Sequence, residues 1–247
     1  MNNRSYNQLC GLAYALDMVG DRWTLLVLRE LIAGPRRFTD LLAGLPGIST
    51  NLLTERLKRL EQRGLLRRRA LAPPAGATVY ELTPRGLGLE QTLLELGKWG
   101  SQFAPSNPEG AIILHLGSYA LTPKTFFRPE LAAGIDETYS LHVSGETQQV
   151  RIANGAITVH QGESPQADMT LYTETPIYLG LLQGQLDLDA VLAAGLVRVE
   201  GNVDALRRFL TICRIEPPST AQTRNAACSA TDPVDVDQPR LPAPTLP

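Results

Sequence analysis

In the first part of the chain, apolar residues recur at helical spacing. Leu9, Leu12, Ala13, Leu16 and Val19 form one stripe, which Gly20-Asp21 interrupts. Asp21 is placed to cap a second helix from Arg22 to about Ala33, and the dense apolar positions Trp23, Leu25, Leu26, Leu28, Leu31 and Ile32 predict its burial between neighbours. Gly34-Pro35 ends it, Arg36, Arg37 and Phe38 form a short extended link, and Thr39 is the expected cap of a third helix. Leu45-Pro46-Gly47-Ile48 makes a tight turn and Ser49 an N-cap, after which Leu53, Leu57, Leu60 and Gly64 mark the stripe of a long helix. Two extended runs follow, Leu65 through Leu71 and Thr78 through Leu82, joined by the Pro/Gly-rich loop 72–77 as a hairpin. Thr83-Pro84 then opens a helix with proline at its first position. Its residues Leu87, Leu89, Leu93, Leu94, Leu96 and Trp99 supply more apolar surface than one small domain needs.

Two prolines and a glycine in residues 104–110 make a linker that no helix crosses. Ala111 to Leu121 reads as a connecting helix and Pro129 to Ala133 as a short one; then the period drops to two. Residues 138–143, 149–152, 156–160 and 169–172 alternate as strands, separated by turn signals at Ser144-Gly145, Asn154-Gly155 and Gly162 through Pro165. Thr175-Pro176 caps a helix to about Leu182, a second spans Leu186 to Ala194, residues 195–201 form a further strand, and Asn202 caps a last helix through Ile212. Residues 215–247 are poor in large apolar side chains and read as a disordered tail.

The chemistry concentrates on the long helix. With its leucine stripe facing a core, a step of roughly 100° per residue turns Asn51, Lys58, Arg59 and Gln62 outward, with Ser49, Thr50 and Thr54 at its start and flank. Asparagine suits adenine, arginine or lysine suits guanine, and hydroxyls suit phosphate, so this face fits a major groove. A solvated helix surface carries the same residue types, and the face alone does not separate the two. The hairpin adds Arg67, Arg68 and Arg69 as the cations of a wing, and Arg36 and Arg37 are available to a phosphate backbone.

Leu45 to Arg68, with Tyr80-Glu81-Leu82-Thr83, Gly86 and Trp99, resembles the HxlR type of winged helix-turn-helix transcriptional regulator, a relative of the MarR regulators. Cys10-Gly11-Leu12-Ala13, Gly20-Asp21-Arg22-Trp23-Thr24 and Leu28-Arg29-Glu30-Leu31 fit the same family. The resemblance implies double-stranded DNA as partner, a palindromic operator, and a homodimer in which the last helix packs with the first helix of its partner. It also makes Cys10 a candidate redox sensor. Gly11 departs from the pattern, since many members carry proline there, and the nearest cation in sequence is only Arg4.

The C-terminal order of strands and helices, with Asn154-Gly155, Gly162, Ala167-Asp168, Leu182-Gln183-Gly184 and Val197 through Asn202, resembles the sterol carrier protein type of lipid-binding domain. That family encloses an apolar tunnel. Ile177, Tyr178, Leu181, Leu182, Val191 and Leu192 are the residues that could line one for a lipophilic effector, or that could fill an ordinary core. The expected fold class is therefore α+β. A mostly helical winged domain with a β-hairpin wing covers residues 1–103, a linker 104–110, and an antiparallel sheet with helices packed on it 111–214.

Net charge is −2, but residues 1–103 carry 14 basic and 9 acidic residues and the remainder 9 and 16. A front half at +5 and a back half at −7 is the asymmetry expected when one domain meets phosphates. Three widely spaced cysteines and three scattered histidines predict no disulfide framework, no metal and no cofactor. No nucleophile–base pair, phosphate loop or paired-carboxylate motif stands out, so an enzyme is not expected. Without a leader or a membrane span, a cytoplasmic location is expected. The expected function is a DNA-binding regulator, a repressor, whose C-terminal domain binds an effector or supports the dimer. The alternative is a lipid carrier whose winged helix serves dimerisation or protein contacts.

Overall fold

The computed structural model describes residues 5–72, 76–103 and 121–215. The linker at 104–110, the helix expected over 111–121 apart from Leu121, and the tail beyond residue 215 lie outside the described residues.

The N-terminal domain opens with α1 (Gly11–Val19) and α2 (Thr24–Ile32), followed by β1 (Arg36–Arg37), α3 (Phe38–Gly44) and α4 (Thr50–Gln62). The hairpin β2 (Leu66–Ala70) and β3 (Thr78–Leu82), α5 (Pro84–Leu87) and α6 (Glu90–Ser101) complete it. The three strands pair antiparallel in the order β1-β3-β2. Leucines of α2, α3 and α4 meet in one core with Leu45, Ile48, Leu65, Leu66 and Leu82. Burying each such side chain contributes on the order of 1.5–3 kcal/mol, which is what holds three short helices together.

Two cap assignments differ from the sequence reading. Trp23, not Asp21, occupies the N-cap of α2, in a left-handed conformation at φ 77°. Asp21 instead faces Arg59. α3 starts at Phe38, so Thr39 lies inside it, and Asp40 Oδ2 accepts the Arg37 backbone N–H at 3.1 Å. Ser49 caps α4 as expected, its Oγ accepting the Leu52 N–H at 3.3 Å.

The C-terminal domain begins with α7 (Thr122–Thr125) and a 3-10 turn at Pro129–Leu131, and continues with β4 (Asp136–Val143), β5 (Glu146–Ala153), β6 (Ala156–Gln161) and β7 (Met169–Thr173). α8 (Thr175–Leu182), α9 (Leu188–Ala193), β8 (Val197–Gly201) and α10 (Val203–Ile212) follow. Sheet order is β6-β5-β4-β7-β8. Asn154 and Gly155 both take positive φ, as a two-residue hairpin turn requires. One pair departs from an all-antiparallel sheet: β7 runs parallel to β4. The chain reaches it by carrying residues 162–168 over the polar face of β4, where the Ser164 N–H donates to Ser140 Oγ at 3.0 Å and Asp168 Oδ2 accepts the Thr138 N–H at 2.7 Å. Thr138 and Ser140 are buried for this reason. On the other face Tyr139, Leu141, Val150, Ile152, Met169 and Leu171 form a core with Tyr178, Leu206 and Phe209 from the helices.

The described residues belong to one compact unit. Leu121 is buried in the winged-helix core, Lys124 of α7 pairs with Glu90 of α6, and the Gln161 N–H donates to the Ala33 carbonyl at 3.0 Å.

Candidate nucleic-acid interface

α4 divides cleanly between core and solvent. Leu53, Leu57 and Leu60 are at most 2% exposed, while Ser49, Thr50, Asn51, Thr54 and Lys58 are open. The spacing of the leucines causes this: with that stripe committed to the core, the polar residues have no direction left but outward. Thr54 Oγ1 donates to the Thr50 carbonyl at 2.8 Å, leaving its oxygen lone pairs outward.

The wing stands beside this face with Arg67, Arg68 and Arg69 all exposed. Their charge is partly spoken for. Arg67 Nε and Arg69 Nε each donate to one oxygen of Glu81 at 2.7 Å, and Arg68 Nε donates to Glu61 Oε1 at 3.1 Å. The hydrogen bond from Arg69, then that from Arg67, holds the Glu81 carboxyl below its ordinary pKa against the opposing effect of burial. Three arginines against two carboxylates leave net positive charge on the wing, and exposed pairs of this kind are worth only about 0–1 kcal/mol, so a phosphate competes for them.

Two of the expected contacts are engaged by carboxylates within the chain. Arg59 lies on the flank of α4, where its guanidinium reaches Asp21 Oδ2 at 3.0 Å and Glu55 at 2.8 Å. With Arg56 Nε donating to the Arg22 carbonyl at 3.0 Å, it ties α4 to the α1–α2 turn. Arg36 is buried and pairs with Glu146 of the C-terminal domain at 3.5 Å, whereas its neighbour Arg37 is exposed. Asp21 and Glu146 are far from these arginines in sequence, and periodicity does not see them; only Arg36 is taken out of reach of a phosphate by burial.

Cys10 occupies the N-cap of α1 and is exposed. Backbone N–H groups of Ala13, then Leu12, lower its thiol pKa. The activating group is thus a helix N-terminus and not a neighbouring cation. Among the described residues no group of His, Cys, Asp and Glu is arranged to hold a metal ion, and no helix is long and apolar enough to cross a membrane.

The six candidate effector residues do converge. Tyr178, Leu181, Leu182 and Val191 are buried in the C-terminal core, and Ile177 and Leu192 pack against it half-buried. They belong to the buried core in which Tyr139 and Phe209 lie with ring centroids 5.1 Å apart. Burial drives the Tyr178 hydroxyl far above its ordinary pKa, so it stays neutral there.

The chain thus joins a winged helix-turn-helix to a five-stranded sheet with helices packed on it. The HxlR-like helix-turn-helix family matches residues 18–108, and the SCP-2 sterol transfer family matches residues 124–214. An uncharacterized HTH-type transcriptional regulator of Synechocystis sp., sll1512, is 38% identical over 95 residues, covering 38% of this chain and 70% of its own length. The HTH-type transcriptional regulator YodB of Bacillus subtilis is 36% identical over 89 residues, covering 36% of this chain and 80% of YodB. The solved structure of reduced YodB from B. subtilis aligns at 32% identity with a TM-score of 0.36, covering 41% of this chain and 100% of that one. The chain belongs to the HxlR-like helix-turn-helix family of transcriptional regulators, and it carries an SCP-2-like domain behind its winged helix.

Proposed function

We propose that this protein is a homodimeric, sequence-specific DNA-binding repressor. α4 enters the major groove of a palindromic operator with Ser49, Thr50, Asn51, Thr54 and Lys58, while Arg37 and the wing arginines meet phosphates. The observation that carries this is the open polar face of α4 directly beside the exposed arginines of β2. The dimer forms through α1 and α6. Leu9, Leu12, Tyr14 and Leu16 are exposed on or beside the first, and Leu96, Trp99 and Phe103 on or beside the second. Such a run of open apolar side chains supports burial against a second copy.

The C-terminal domain reports a small-molecule effector to the winged helix. Its match to the SCP-2 family supports a lipophilic ligand, for which the packed side chains around Tyr178 and Leu182 must give way. An effector that loosens DNA binds more weakly to the DNA-bound protein by the same factor.

The test is binding of the full chain to the DNA upstream of its own gene and to a scrambled duplex, measured by fluorescence anisotropy across salt concentrations. A tight complex with the first and a steep salt slope are expected. Asn51→Ala should cost about 1–3 kcal/mol and relax specificity, whereas Lys58→Ala should weaken both duplexes alike if it meets phosphate. Unchanged affinity in both variants would remove α4 from the groove.

A further inference from the structure

Arg36 is an arginine in a two-residue strand, with nothing in its local sequence that calls for burial, yet its side chain is only 9% exposed. It looks into a cleft of about 410 Å³ between the winged helix and the C-terminal domain, a size that suits a small molecule. Glu30 of α2 and Asp40 of α3 line one side; Glu146 and Thr147 of β5 and Gln161 of β6 line the other. The Arg36 guanidinium meets Glu146 at 3.5 Å, longer than a good charge-assisted hydrogen bond, and its Nε is buried without an acceptor. A buried donor in that condition is a reason to look for what fills it.

The charges around Arg36 narrow the chemistry. Glu30 is already held by Arg29 at 2.6 Å. Asp40, whose oxygens accept the Arg37 N–H and the Thr39 hydroxyl but meet no cation, and Glu146 put two further carboxylate charges on the cleft wall. A simple anion drawn to Arg36 would be repelled by these two, and a simple cation drawn to them would leave the Arg36 Nε open. A molecule carrying both a carboxylate and an ammonium group answers all three. We infer that this cleft binds a free α-amino acid, with its carboxylate on Arg36 and its ammonium group toward Asp40 and Glu146.

This ligand is separate from an apolar one held in the C-terminal core. Its consequence for regulation rests on the DNA-binding function proposed above. Arg36 opens the two-residue strand that leads into α3, the first helix of the helix-turn-helix, while Glu146 belongs to the C-terminal domain. A ligand that draws Arg36 off Glu146 changes how one domain is held on the other, and so biases the winged helix.

Thermal unfolding of the full chain tests the site without DNA. Each of the twenty standard α-amino acids is added at millimolar concentration, with acetate and methylammonium as single-charge controls at matched ionic strength. At least one amino acid should raise the midpoint by roughly 5–10 °C when present about 100-fold above its Kd, and neither control should do so. Arg36→Gln should abolish the shift. If that variant does not fold, Glu146→Gln, at a half-exposed position, decides the matter and should weaken binding at least about tenfold. No shift with any amino acid, an equal shift with either control, or a shift that Glu146→Gln leaves undiminished would overturn the inference. Because unfolding is the readout, these results stand apart from the DNA experiment. Loss of either leaves the other intact.

Discussion

Chemical character at single positions depends on which backbone or side-chain groups the fold delivers. Cys10 and Cys213 show this most directly. Cys10 is exposed at a helix start with backbone N–H groups lowering its thiol pKa, while burial pushes the Cys213 thiol up to about 12. A lowered pKa means thiolate at pH values where an ordinary thiol is still protonated, so the pH–rate curve for alkylation shifts to lower pH. In a Cys228→Ser background, iodoacetamide near neutral pH should label Cys10 alone, and Cys10→Ser should remove the reaction. Equal labelling of Cys213 would contradict the burial on which this rests. The sequence revealed the cysteine but not its activation, because a helix terminus acts through geometry and not through a neighbouring charged residue. Arg59 makes the complementary point. Its helical position is legible, but its commitment to Asp21 depends on a residue 38 positions away.

Among the elements, the local signals were strong where the chain answers to itself. The leucine stripe of α4, its Ser49 cap, the proline at the start of α5 and the Asn154-Gly155 turn all follow from residues adjacent in sequence. Contact between elements adds constraints with no local signature. Gly86 sits where α5 meets the start of β2: a Cβ there would lie 2.0 Å from the Leu65 carbonyl oxygen. That carbonyl is held in place by the Thr83 N–H at 3.0 Å, so it has little freedom to retreat. Gly86→Ala should therefore destabilise the protein by about 1–3 kcal/mol, seen as a lower urea midpoint. An unchanged midpoint would show that the helix shifts without cost. Trp23 belongs to the same class, since a left-handed tryptophan at a helix N-cap is not something propensity suggests.

For the whole molecule, the two domains share one unit, and the winged helix keeps two surfaces open: the reading face of α4 and the apolar residues around α1 and α6. Trp99 and Phe103 pack edge-on against each other at 4.9 Å while remaining exposed, an arrangement that suits burial in a dimer. Wild-type protein should sediment as a dimer, and Trp99→Glu should shift it toward monomer with its helical circular dichroism retained. A monomeric wild type, or a variant that remains fully dimeric, would place the dimer contact elsewhere or remove it.

The sequence by itself determined which of the described segments become helix or strand and which face of α4 is polar. Those features follow from periodicity, caps and turns, which are short-range and repeat along the chain. Only the tertiary structure decided that Arg36 is buried against Glu146, that Arg59 ties α4 to the α1–α2 turn, and that β7 joins the sheet parallel to β4. Each depends on groups brought together from distant positions, where burial and charge pairing act through space and leave no period in the chain.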